Sequence, residues 1–269
     1  MKQPQPTKKF EVLKAARRVW TVSAIHGEAD RLRAIHRSIE KNFQWGDRIV
    51  YLGSFLGHGT NVWQTINELL LFRRFTLSRF GYQPEDVVFL RGQQEEMWDK
   101  LMQIQFANDP QSIVSWMIDH GINATLEAYG TDGREALSFA RQGVVELTNW
   151  TTRIRQRVRS SPGHFQLMTS LRRAAFTEDG SKMFVHAGID ASLPLRGQTD
   201  GFWWNTSTLP KLKAPFEGIG RIFSGYTGRD AGIEVFPYAT TMDAGCGKGG
   251  PLIAACIDMK GDFQHIFEA

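Results

Sequence analysis

The sequence predicts an α/β fold of two mixed β-sheets packed face to face, with helices flanking them on the outside. Short apolar runs, partly β-branched and stopping at glycine or polar residues, alternate with stretches of helical periodicity along most of the chain. From Ile233 onward the character changes, and strand-like runs follow one another with turn signals between them. At 269 residues, with 42% hydrophobic and 22% charged residues, the chain can bury one full core, and no repeat or low-complexity linker divides it.

In chain order, residues 19–24, 48–53, 87–91, 183–187 and 220–224 read as short buried strands. Helices are expected over 28–41, where Leu32, Ile35, Ile39 and Phe43 share one face, and over 61–80. Further helices are expected from Glu95, from near Ser112, and as one long element over 134–159. The final strands, 233–237, 239–243, 251–258 and 263–267, predict an antiparallel meander with Lys260, Gly261 and Asp262 as its tight turn. Strand–loop–helix units followed by a meander give two stacked sheets, with active loops at the carboxyl ends of the strands.

Composition excludes several classes. No apolar run approaches the roughly 18 residues needed to span a bilayer, and residues 1–10 read as a polar, flexible tail ahead of a single domain over 11–269. The expectation is a cytoplasmic protein with Cys246 and Cys256 reduced on neighbouring strands. The net charge of +4 gathers in residues 8–18 and in the run from Arg153 through Arg155 and Arg157 to Arg159, read first as solvated helix faces and second as a site for an anionic partner. Aromatic interleaving is absent there, so nucleic acid is not expected.

Five segments carry the chemistry. They are Ser23-Ala24-Ile25-His26-Gly27, then Val50-Tyr51-Leu52-Gly53-Ser54-Phe55-Leu56-Gly57-His58-Gly59, then Phe89-Leu90-Arg91-Gly92-Gln93-Gln94-Glu95-Glu96-Met97, then Phe184-Val185-His186-Ala187-Gly188-Ile189, and last Ser224-Gly225-Tyr226-Thr227 with Met242-Asp243-Ala244-Gly245. In order and spacing they resemble the signatures of the phosphoprotein-phosphatase branch of the calcineurin-like metallophosphoesterases, whose bacterial members include Ser/Thr protein phosphatases. The second resembles V-Y-L-G-D-x-x-D-R-G, and the fourth matches F-V-H-A-G-I outright. The resemblance implies a four-layer αββα sandwich.

It also implies what the chain lacks. Active members of the family hold two ions of Mn, Fe or Zn with Asp, His, a bridging Asp, Asn and two further His, because hard carboxylates and imidazoles must hold two cations close and acidify a shared water. Carried onto this sequence, the first Asp is Ala24, the bridging Asp is Ser54, the Asn is Gln93 and the last His is Tyr226. His26 and His186 remain, and the resemblance assigns them to different metals. The general acid is replaced by Gln94, the Asp that orients it by Gly57, and the phosphate-gripping Arg by His58, which lacks the bidentate fork. A second family arginine corresponds to Asn205.

The expectation is therefore a pseudophosphatase, a binding or regulatory module with a protein partner, no catalytic residue and no retained metal cofactor. A rebuilt single-metal site from His26, His186, His58 or Asp243, giving a weak phosphoesterase, is the first alternative. A small-molecule sensor using the old cleft is the second. Bland readings stand beside these: Glu95 stabilises a helix start, Asp243 is structural, Tyr226 fills lost-ligand space, the glycine-rich run 245–250 is a turn between strands and not a phosphate cradle, and Phe202, Trp203 and Trp204 pack in the core.

Overall fold

In the computed structural model, which describes Thr7 and residues 9–269, eleven strands form two mixed sheets. One runs β1 (Phe10–Leu13), β5 (Ala174–Thr177), β6 (Lys182–Val185), β7 (Arg221–Ser224), β9 (Ala239–Asp243), β8 (Gly232–Val235). The other runs β11 (Phe263–Glu268), β10 (Ile253–Asp258), β2 (Arg18–Val22), β3 (Asp47–Tyr51), β4 (Val87–Phe89). Alternate residues of the strands face opposite ways. Val19, Val50, Leu52, Phe184, Phe223 and Ile257 fill the layer between the sheets. Trp20, Ile49 and Tyr51 face the helices instead. Burial on both faces is why these strands read as continuous apolar runs.

Helices α1 (Ala29–Asn42), α2 (Val62–Leu77), α3 (Gln93–Leu101), α4 (Pro110–Asp119), α5 (Ile122–Ala128), α6 (Gly133–Gln142), α7 (Val144–Ser160) and α8 (His164–Thr169) lie on the β2 side. The short α9 (Gly201–Trp204) covers the opposite face, where Phe202 and Trp203 are buried as expected. Trp204 is not: it is 36% exposed beside Trp116. Among the described residues no helix is long and apolar enough to cross a membrane.

Five expectations need correction. The long helix over 134–159 is two helices, α6 and α7, broken at Gly143, whose φ of 106° is left-handed. The C-terminal meander is divided: β8 pairs antiparallel with β9 in one sheet, while β10 pairs with β11 and β2 in the other. Within the basic stretch 8–18, residues 10–18 form β1, a turn and the start of β2 in place of a helix, and Arg18 is committed to a 2.7 Å ion pair with buried Asp47. Phe10, expected in the tail, opens β1; residues 1–6 and 8 lie outside the described residues. Of the cysteines, Cys256 is on β10, but Cys246 sits in the turn after β9; both are buried and free.

Candidate functional site

The five sequence segments leave the carboxyl ends of β2, β3, β4, β6 and β7, and backbone hydrogen bonds draw them together. Ser54 O accepts from Ile25 N and His26 N at 3.0 and 2.8 Å. Gly225 O accepts from Ala24 N at 3.1 Å, and Gly225 N donates to His186 O at 3.0 Å. His26, Ser54 and His58 all hold left-handed φ, 51°, 50° and 48°, a backbone cost of about 1–2 kcal/mol each. The surrounding fold holds this strained arrangement in place.

Glu95 supplies much of that hold. At the third position of α3 its buried carboxylate accepts from Gly92 N at 2.8 Å, the helix-start role expected of it. The same carboxylate also reaches the loop after β3, accepting from Ser54 N at 2.7 Å and Leu56 N at 3.1 Å. Burial raises its pKa, and the three N–H donors oppose that shift. Gly92 is required for the approach, since a Cβ there would stand 2.2 Å from Ser54 N.

Around this staple, the side chains at the candidate positions pack on one another. His186 is fully buried; its Nδ1 donates to Leu52 O at 2.7 Å, which leaves Nε2 to accept the Ser54 hydroxyl at 3.2 Å. Tyr226 stacks on His186, with ring centroids 5.2 Å apart and planes 9° from parallel. Asp243 is structural, as expected: its carboxylate accepts from Thr227 N, Gly228 N, Thr227 Oγ1 and Gly245 N, fixing the loop that carries Tyr226. Ala24 is buried beneath, and Gln93 is half-buried at the first turn of α3.

Gln94 and Gly57 interlock. Gln94 Nε2 donates to His120 O at 2.8 Å, and a Cβ on Gly57 would lie 2.2 Å from Gln94 Oε1. The glutamine therefore occupies the space that a side chain at position 57 would need. His58 sits over Gly121, half-buried, its ring centroid 4.9 Å from that of His26. His26 is buried, and neither of its ring nitrogens has a hydrogen-bond partner among the described residues. Asn205 donates to Ile189 O, accepts from Thr208, and sets its carbonyl against Gly188.

Burial sets the charge state. It lowers His186 to about 4 and puts His26 well below the ordinary imidazole range, with nearby His58, His186 and Lys248 adding to the latter shift. Both rings are neutral at pH 7. A depressed histidine pKa in the folded state means that the unfolded chain takes up protons first. Stability is then full above pH 6.5 and falls as the pH drops toward 4. His186 alone accounts for about 2 kcal/mol lost between pH 7 and 5. Urea unfolding of the wild type and His186→Asn at both pH values checks this; an equal drop in both proteins refutes the assignment.

Residues of α5 and of its junction with α4 were not legible as part of the site. His120 and Gly121 provide the carbonyls that catch Gln94 Nε2 and His58 N, and Thr125 Oγ1 accepts from Gly57 N at 3.0 Å. A glycine between two helical stretches is the one local signal for that junction. The run 245–250 is a turn, and Gly247 packs against His26.

The two stacked mixed sheets and the strand-end position of these segments give a metallophosphoesterase-like fold. No family model and no curated protein sequence matches the chain. Solved structures do: a protein assigned as a diadenosine tetraphosphatase superposes with a TM-score of 0.54 at 16% identity, covering 97% of this chain and 98% of that one. A protein serine/threonine phosphatase from Saccharomyces cerevisiae gives 0.52 at 12% identity, covering 97% and 84%. A cold-active protein-tyrosine phosphatase of a psychrophilic Shewanella gives 0.51 at 13% identity, covering 98% and 85%. The chain thus has the fold of the calcineurin-like metallophosphoesterases.

Proposed function

We propose that this chain is a pseudophosphatase: a metallophosphoesterase fold kept as a binding or regulatory module for a protein partner, without phosphate hydrolysis. The observation that carries the reading is the closed bond between Ser54 and His186. Where the family resemblance places a bridging carboxylate, a neutral hydroxyl donates to the one free nitrogen of a buried histidine.

The remaining donors fit a metal centre no better. Asp243 is filled by its own loop. Among the described residues no group of three or more His, Cys, Asp or Glu side chains is placed to hold a metal ion. Two hard cations need several anionic oxygens to offset their repulsion, and this set does not supply them. A proton donor is missing as well, because Gln94 has no proton to give near neutral pH and its amide is spent on His120 O.

One observation favours a second reading. His26 is buried with unpartnered ring nitrogens beside His58, so a single borderline metal ion bound there, supporting weak phosphoester hydrolysis, is the rival. Elemental analysis with a p-nitrophenyl phosphate assay in added manganese separates them. The expected result is metal far below one ion per chain and turnover equal to buffer. Stoichiometric metal, with hydrolysis abolished by His26→Ala or His186→Ala, would overturn the pseudophosphatase reading.

A further inference from the structure

A groove of about 190 Å³ lies between α3, α7 and α8, away from the strand-end cluster. Its floor is apolar, made by Trp98, Met102, Phe165 and Met168, and Arg155 and Arg159 stand on its rim with Asp99. The run from Arg153 to Arg159 is thereby resolved into separate roles. Arg153 lies over Phe139, and Arg157 donates to Tyr129 O and Gly130 O. Arg155 donates to Met102 O at the end of α3. Arg159 lies over Phe165, with its guanidinium carbon 5.4 Å from the ring centroid.

None of these four arginines has a carboxylate partner among the described residues. The one acid on the rim, Asp99, is paired with Arg91. The Arg159 guanidinium over Phe165 has no ion pair among the described residues, so its N–H donors can receive a carboxylate. The two methionines of the floor adapt to an entering side chain.

We propose that this groove docks an acidic peptide segment of a partner protein, with one aromatic or branched aliphatic side chain seated on the methionines and flanking carboxylates on Arg159 and Arg155. The concave floor suits an inserted anchor better than the plane of an anionic membrane, which would meet the arginines alone. The groove names the docking surface of the binding module and rests on that reading only for its purpose; peptide binding and the absence of hydrolysis are measured separately, so either can fail without the other.

The test is selection of a displayed random-peptide library against the full chain, followed by fluorescence anisotropy of the enriched peptides. Enriched peptides should combine glutamate or aspartate with an apolar anchor, and binding should weaken as salt rises. Arg159→Glu and, separately, Met168→Glu should each weaken it about tenfold or more, with unchanged melting temperatures as the folding control. No enrichment, enrichment of basic or uncharged peptides, or affinity indifferent to both substitutions overturns the proposal. Binding to phosphatidylserine vesicles through the same arginines without any enriched peptide also overturns it, in favour of a membrane surface.

Discussion

Glu95→Ala is expected to destabilise the protein by about 4 kcal/mol, the upper end for a single substitution, because it strands three buried N–H donors that each cost about 1–3 kcal/mol unpaired. The donors are Gly92 N, Ser54 N and Leu56 N, and they belong to two loops, one after β4 and one after β3. Losing the carboxylate releases the left-handed turn at Ser54 as well as the start of α3. Glu95→Gln keeps the shape but turns an amide N–H toward at least one of the donors, so it should fall between the alanine variant and the wild type. Urea denaturation of all three proteins measures this. A loss below about 1 kcal/mol for Glu95→Ala would show that the loops are held by something else.

Gly57→Asp is expected to cost about 3–4 kcal/mol, from a left-handed backbone that disfavours side chains and from overpacking against Gln94. Gly57 has φ 80°, and its missing Cβ would collide with the Gln94 amide. Much of the overpacking cost should disappear when Gln94→Ala clears the space. The double variant is then more stable than the sum of the single changes predicts by about 1 kcal/mol or more, the coupling expected of residues in contact. Additivity within about 0.5 kcal/mol would mean that the two positions do not share a volume. With that coupling, an acidic residue at position 57 is better tolerated when position 94 is changed in the same molecule.

The fold was legible wherever its signal was local. β2 and β3 follow directly from the apolar runs that carry Val19, Trp20, Ile49 and Val50, and the strand-end segments are short enough for each to carry its own pattern. What escaped notice depends on pairing across the chain. β1 is buried in a basic stretch, and Ala174 to Thr177 has no pattern strong enough to mark β5, which finds its place by running beside β1 and β6. The C-terminal strands read as one meander because nothing local shows that β9 takes β7 as a parallel neighbour while β10 crosses to the other sheet.

The candidate site divides in the same way. That Ala24, Ser54 and Tyr226 lie in loops at strand ends was legible from the segments that carry them. The second use of Glu95 was not, since helix-start stabilisation already accounted for it locally. The fit of Gln94 into Gly57 joins residues from different loops, and it depends on His120, which no motif marks.

The placement of β10 has a consequence for how the chain comes together during synthesis. β10 lies between β2 and β11, with Ala255 opposite Thr21, so β2 waits for a neighbour 234 residues further along the chain. Until β10 emerges from the ribosome, β2 offers an open hydrogen-bonding edge and both apolar faces, the state in which sheet proteins are most prone to wrong pairing. Contacts of such long sequence separation also slow closure. The helices from α1 to α8 are all synthesised before β10, and they can cover one face of β2 to β4 in the interval. Besides shaping the finished molecule, they are in a position to serve as a holding cover for a sheet that is completed late.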